Sequence, residues 1–331
     1  MPSSQKPSGS SATSTPATSD TFRVPDVVTV PLRHRGRWAG YAVIVLLLGA
    51  LAHSLITNER FGWDVVFTYL FSETILNGLW MTLFLTVVAM VIGLAIGILL
   101  ASMRVSHSRI FRGVAGVYIW FFRGTPILVQ LVFWYNLAYL YPELSIAIPG
   151  GPTLWSANVN DVITPLSAAI LGLGLNEGAY LSEIVRAGIL AVPRGQSEAA
   201  ASLGMTRTES FRQIVLPQAM RVIVPPTGNE TIGMLKMTSM VSVIALADLM
   251  YSAQTIYARN FQTIPLLICV SIWYLFLTSL LSWGQGHLER YFGRGSTSMP
   301  AATERVFALR LPRRSDAAAT TTTAGSREDQ A

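Results

Sequence analysis

Blocks of apolar residues as long as a bilayer is thick recur along this chain. They cover 38–56, 74–102, 166–191, 222–246 and 264–283, and a further block, 114–141, is broken at Arg123-Gly124-Thr125-Pro126. A helix needs about 20 apolar residues to cross about 30 Å of hydrocarbon. Inside lipid each backbone N–H and C=O must find its partner within the segment, which leaves the helix as the form for isolated runs of this length. The pattern therefore predicts six crossings and an all-α polytopic membrane protein. Only 13% of the residues are charged, against about 25% in soluble domains. A disordered chain is excluded on that ground, and an ordinary cytosolic enzyme is not expected.

The connecting segments orient the crossings. Segment 103–113 carries Arg104, Arg109 and Arg112, segment 192–221 carries Arg194, Arg207, Arg212 and Arg221, and the last block runs out to Arg290 and Arg294. The alternate segments hold Arg60 alone, no basic residue over 142–165, and Arg259 alone. Positive charge collects on the cytoplasmic side, so both termini are expected in the cytoplasm, in a multi-pass protein of the cell membrane. The net charge of +6 is read as this asymmetry, facing membrane lipid and not nucleic acid. Ala50-Leu51-Ala52 resembles a signal-peptidase site, but the lead before it is long for a signal peptide, and an uncleaved helix is expected. Residues 1–37 and 295–331 have no apolar period. They are expected as disordered cytoplasmic tails, because they cannot bury enough surface to offset their ordering entropy. Cys269 is the one cysteine, and His34, His53, His107 and His287 lie far apart. Neither a disulfide, nor a metal site, nor a catalytic constellation is expected from them.

Within the blocks, Ala89, Gly93, Gly97 and Ala101 recur every four residues and form one stripe for close helix packing. Gly124 and Pro126 argue against a continuous helix through the broken block. Thr125 is placed to cap a new helix with Pro126 at its first position. Arg123 at that junction has two readings. Its donors meet loose carbonyls, a phospholipid head group or a partner, or its side chain snorkels to the cytoplasmic interface. The block 166–191 holds Asn176, Glu177, Tyr180, Ser182, Glu183 and Arg186. The spacing of Asn176, Tyr180 and Glu183 puts them on one helix face. An ionisable group at membrane depth faces protein or a water-filled path. Glu183 and Arg186, three apart, also suit a simple ion pair. Lys236, with Asn229 seven residues before it on the same face, suits either a path or a tie to a neighbouring carboxylate or carbonyl.

Segment 192–221 is too long for a mere connector. Pro193 ends the membrane helix, and the alanine-rich run 196–203 is expected as a helix. Gly204 is placed to end it in a left-handed cap. Thr206-Arg207-Thr208-Glu209 fits a capping box that opens a second helix, expected to run to Leu216 and to be checked at Pro217. The result is a small helical hairpin, read as a docking knob for a cytoplasmic partner.

The stretch Glu198-Ala199-Ala200-Ala201-Ser202-Leu203-Gly204, followed by Ile214-Val215-Leu216-Pro217, resembles the EAA loop of importer permeases driven by ATP-binding cassettes. Arg123-Gly124-Thr125-Pro126-Ile127-Leu128-Val129-Gln130, the run Gly178–Gly188 and Pro193-Arg194-Gly195-Gln196 are similar to stretches of the polar amino-acid permeases of that class. So is the run from Asn229 to Lys236-Met237-Thr238-Ser239, where Met237 stands in place of a usual acid. The resemblance implies a MetI-like bundle of five core spans over 73–292, with residues 38–57 as one extra N-terminal span. It implies a coupling loop at 192–221 using Glu198, Ala199, Ala200, Gly204, Leu216 and Pro217. It further implies a cytoplasmic ATPase dimer, a second permease subunit (identical or related) and an extracytoplasmic substrate-binding protein. A polar amino acid would be carried by alternating access. Arg123, Asn176, Tyr180, Glu183, Asn229 and Lys236 are the residues assigned to its path. The chain has no Gly-x-x-x-x-Gly-Lys-Ser/Thr phosphate loop, so it is not the ATPase. ATP and its magnesium are expected on the partner, with no cofactor on this chain and no enzyme activity of its own. The alternative is an ion-coupled secondary transporter or channel without an ATPase, for which Glu177, Glu183 and the broken block supply weak midplane features.

Overall fold

The computed structural model of the chain describes residues 35–147 and 153–292. Of the expected tails, residues 1–34 and 295–331 lie outside the described residues, and 35–37 belong to the first helix, not to a tail. The chain divides into two units, one ending at Glu59 and one beginning at Arg60. In the first, α1 (Arg35–Thr57) is apolar all round and has no buried face within its unit. A helix of that kind is suited to lipid on every side.

The second unit holds everything else. Its elements are α2 (Trp63–Leu70), α3 (Glu73–Val105), α4 (Arg109–Gly124), α5 (Ile127–Tyr135), the antiparallel pair β1 (Glu143–Ala147) and β2 (Thr153–Asn158), α6 (Val159–Val162), α7 (Pro165–Leu190), α8 (Arg194–Ser202), α9 (Arg207–Ser210), α10 (Leu216–Met237), α11 (Leu249–Asn260) and α12 (Thr263–Phe292). By length and composition, α1, α3 and α12 can each cross a membrane. Two bent pairs, α4 with α5 at 100° and the run 207–244 with α11 at 45°, raise that number to five. The 26 residues of α7 extend roughly 39 Å, but Glu177, Glu183 and Arg186 dilute its apolar character.

The expected stripe on α3 lies in a seam against α7. Ala89, Gly93, Gly97 and Ala101 are all buried. A Cβ on Gly93 would meet Glu177 Cγ at 2.6 Å, and one on Gly97 would meet Leu181 Cβ at 2.9 Å. Glycines answer from the other side, where Gly174 and Gly178 receive Ile92 and Ile96. Close approach of this kind makes van der Waals contact the main cohesion between helices in lipid. Three further packed layers, beside a smaller cluster of Leu100, Ala115 and Ile119, hold the unit. Leu85, Leu131, Leu173 and Met234 share one core cluster. Val66, Ile75, Leu249 and Leu266 close one end. Ala101, Val185, Ala219 and Ile223 close the other, where α8 and α9 protrude.

Several sequence expectations are corrected here. The broken block ends its helix at Tyr135, followed by a 3-10 turn over Leu137–Tyr139. Segment 142–165, read as a plain connector, contains the short antiparallel pair β1–β2 within an otherwise helical bundle. Segment 247–263, read as a connector, is mostly α11, whose Leu249 and Ala253 are buried. It begins after a break at Ala245 (φ 57) and is capped by Asp248 Oδ1, which accepts from Tyr251 N–H at 2.8 Å. The largest correction concerns Pro217. No helix stops there, because a π turn over Phe211–Val215 leads straight into α10. In an α-helix a proline ring clashes with the carbonyl four residues back, and the wider π turn relieves that crowding. Gln218 Nε2 then donates to Ile214 O at 3.0 Å. Pro225 and Pro226 also lie inside α10, and Gln285 of α12 donates to Pro225 O at 3.3 Å.

Candidate functional site

The break between α4 and α5 is held by amides. Gln130 Nε2 donates to Phe122 O at 3.0 Å, Thr125 O at 3.1 Å and Thr125 Oγ1 at 2.8 Å. Asn176 Nδ2, from α7, donates to the same Phe122 O at 2.9 Å. The loose carbonyls at the junction therefore go to Gln130 and Asn176, and Arg123 is not needed for them. Thr125 does not cap α5. It terminates α4, with its hydroxyl donating to Phe121 O at 2.8 Å, and Pro126 takes the cap position.

Freed from the backbone, Arg123 lies over the Tyr180 ring, 5.1 Å from its centroid. A guanidinium over an aromatic face is held by the ring quadrupole. Glu230 of α10 is within electrostatic reach of Arg123, and Glu177 of α7 is within reach of Glu230. Glu177 is 2% exposed, and its Oε1 has no hydrogen-bond partner among the described residues. Three elements, α4, α7 and α10, thus set Arg123 on Tyr180, Glu230 within reach of Arg123 and Glu177 within reach of Glu230. At membrane depth such a group marks a functional path more often than a packing accident.

Of the six expected path residues, the structure brings Arg123 and Tyr180 into contact and sets Asn176 beside them on the Phe122 carbonyl. Glu183 is taken up by Arg186, Nη2 to Oε2 at 2.6 Å, so of its two readings the ion pair is realised. Asn229 and Lys236 lie exposed on α10. Lys236 Nζ has neither hydrogen bond nor ion pair among the described residues, so the expected tie to a carboxylate or carbonyl is absent. Sequence reading passed over Glu230 and Gln130. An acid inside an apolar block, next to Asn229, was the signal for Glu230. Gln130 closes the Arg123–Gln130 run but shows its purpose only once the chain bends.

The hairpin is built as its residues dictate. Gly204 adopts φ +80, a conformation that costs a residue with Cβ. Gly204 N–H donates to Ala201 O at 3.0 Å and Met205 N–H to Ala200 O at 3.1 Å, the two bonds of a Schellman cap. Thr206 and Glu209 complete the capping box, with Thr206 N–H donating to Glu209 Oε2 at 2.8 Å. The Thr206 N–H and hydroxyl hold the Glu209 carboxyl below its ordinary value. Ala200 is buried, while Ala199, Ala201 and Leu203 face outward. Beneath the hairpin is a cleft of about 800 Å³ lined by His107, Leu190, Arg194, Glu198, Arg207 and Phe211, among others. Leu216 and Pro217 belong to the first turn of α10, not to the hairpin tip. Among the described residues no group of three His, Cys, Asp or Glu could hold a metal ion.

Residues 93–294 match the family described as the binding-protein-dependent transport system inner membrane component. The arginine transport system permease protein ArgU of Corynebacterium glutamicum is 44% identical over 269 residues, covering 81% of this chain and 83% of that protein. The glutamine transport system permease protein GlnP of Escherichia coli is 35% identical, over 70% of this chain and 97% of its own length. A solved amino acid ABC transporter with histidines matches with a TM-score of 0.56 at 37% identity, over 66% of this chain and 94% of that one. The inward-facing MetNI methionine ABC transporter shares the fold, with a TM-score of 0.53 at 20% identity, over 67% and 99% of the two chains.

Proposed function

The chain belongs to the binding-protein-dependent transport system inner membrane components, and from that premise we propose that it is the pore-forming permease of an ATP-driven importer for a polar amino acid. It is not an enzyme itself. It crosses the cell membrane six times, counting α7, with both termini in the cytoplasm. A cytoplasmic ATPase dimer, which carries ATP and magnesium, grips the α8–α9 hairpin through Glu198, Ala199, Ala200 and Gly204, close to Leu216 and Pro217. A second permease subunit completes the pore against the exposed face of α10 that holds Asn229 and Lys236. An extracytoplasmic binding protein delivers the substrate.

One observation carries this reading: the coil is unbroken from the capping box at Thr206 to Met237. A displacement of the hairpin is carried along this continuous run of turns, through the π turn and past Pro225 and Pro226, to Glu230. The path at Arg123, Asn176 and Tyr180, with Glu183 near it, then opens alternately to the two sides. Two carboxylates against one guanidinium favour a substrate with a cationic side chain, in keeping with the relative named for arginine.

The test is uptake by the reconstituted complex. An ATPase subunit that cannot hydrolyse ATP should abolish uptake, and an ionophore should leave it intact. The opposite result would establish the ion-coupled alternative. Competition among unlabelled amino acids then reports whether cationic ones are preferred.

A further inference from the structure

Among the described residues, two that are not glycine adopt positive φ, Ala245 and Phe261. Ala245 is small and lies at the break inside a span. Phe261 is a bulky aromatic at φ 60, in the turn between α11 and α12, and it is 87% exposed. Position and residue type are at odds. A left-handed helix end favours Gly or Asn, and Asn260 stands one residue earlier. The backbone holds Phe261 there through Phe261 N–H to Tyr257 O at 2.8 Å and Gln262 N–H to Asn260 Oδ1 at 3.0 Å. The ring gains nothing from the fold, since it is not buried. The left-handed backbone is accounted for as the cap of α11, but a bulky exposed ring where Gly or Asn would serve that cap is not, and it points to a requirement outside the chain.

The turn's surroundings narrow the partner. It lies at the end of the unit remote from the hairpin. There α3 starts, and Gly78 packs on Asp248 O and Ser252 of α11. The flanking Arg259, Asn260, Gln262 and Thr263 are polar, and an open turn of this kind cannot sit in hydrocarbon. Exposed acids, Asp64, Glu73, Glu143 and Asp161, outnumber bases in the segments on that side of the chain.

We infer that Phe261 is a docking knob for the importer's soluble solute-binding protein, seated in an apolar notch with a predominantly basic rim on that protein. This rests on the importer reading above, which puts the α11–α12 turn on the extracytoplasmic side.

The test uses the permease–ATPase complex in nanodiscs and, as probe, the solute-binding protein that stimulates the wild-type ATPase in the presence of amino acid. Phe261→Gly and Phe261→Asn both suit the left-handed backbone. They should keep assembly with the ATPase and unfold at or above the wild-type temperature. The binding-protein concentration for half-maximal stimulation should rise at least about tenfold, and Phe261→Tyr should restore it. Unchanged stimulation in the Gly and Asn variants would overturn the inference while leaving the importer reading intact. So would a change confined to thermal stability that tracks lipid composition, which would make the ring an interfacial anchor. If no solute-binding protein stimulates the wild-type complex, both the inference and the importer reading fall.

Discussion

The seam between α3 and α7 and the α8–α9 hairpin are both rich in glycine and alanine, for opposite reasons. In the seam, a Cβ on Gly93, Gly97 or Gly178 would run into side chains already present, and Gly188 of α7 lies as hard against Ile223 of α10. On the hairpin, a Cβ on Gly195 or Gly204 would meet nothing within 4 Å. Smallness in the seam serves contacts inside the chain. On the hairpin it serves the backbone turn at Gly204 and leaves a narrow ridge with Leu203 at its tip. The proposed reading seats the ATPase subunit in the open space beside Gly195 and Gly204.

Substitutions that add bulk should separate the two regions most sharply. Gly93→Leu drives a branched side chain into Glu177, whose Cγ is already 2.6 Å from an added Cβ. Overpacking of this kind typically costs about 1–3 kcal/mol. The seam has little slack, so loss of monodisperse protein in detergent is expected, read by size-exclusion chromatography. A well-folded Gly93→Leu protein would mean that the helices can separate. Gly204→Leu should instead insert and fold, at a left-handed-backbone cost of roughly 1–2 kcal/mol. It should lose most ATP-driven uptake, measured with labelled amino acid in proteoliposomes. Normal uptake by that variant would remove the docking role.

Asn176→Ala tests whether the polar face of α7 is fold or path. It removes one of the two amides on Phe122 O, and a lowered thermal midpoint is expected, at a cost of about 1–3 kcal/mol. An unchanged midpoint with altered uptake would move Asn176 from bend-holder to substrate contact. The smallest effect concerns the capping box. The Glu209 carboxyl sits below its ordinary value in the fold, so its contribution is complete above the unfolded value. That contribution is lost as pH falls through the folded value. Amide exchange in the hairpin should quicken on acidification below about pH 4, near the unperturbed value of a glutamate. Thr206→Ala should remove that pH dependence while leaving exchange in the α3–α7 seam unaltered.

Features governed by near neighbours were legible in advance. The hairpin is the clearest case. Its left-handed Gly204, its capping box and its first helix each depend on residues within about five positions, and all three formed as their sequence requires. The stripe from Ala89 to Ala101 was legible because a four-residue repeat stays on one helix face. Pro217 misled because a proline is a stop only where the coil before it is α, and the turn over Phe211–Val215 is π. Glu183 and Arg186, three residues apart, suit an ion pair on sequence alone, and the structure forms it. Glu230 was passed over because its neighbours, Arg123 and Glu177, are remote in the chain.

What the sequence alone determined is therefore the membrane-spanning helical class, the helical hairpin and the break after Arg123. Each follows from hydrophobic length, turn chemistry or a proline, all of which act over a few residues. What only the tertiary structure decided is which polar side chains meet. Asn176 and Gln130 share one carbonyl, Arg123 lies on Tyr180, and Glu230 is within electrostatic reach of Arg123 and Glu177, because α4, α7 and α10 pack together. Electrostatics and hydrogen bonds act on distance in space, and distance along the chain carries little of it.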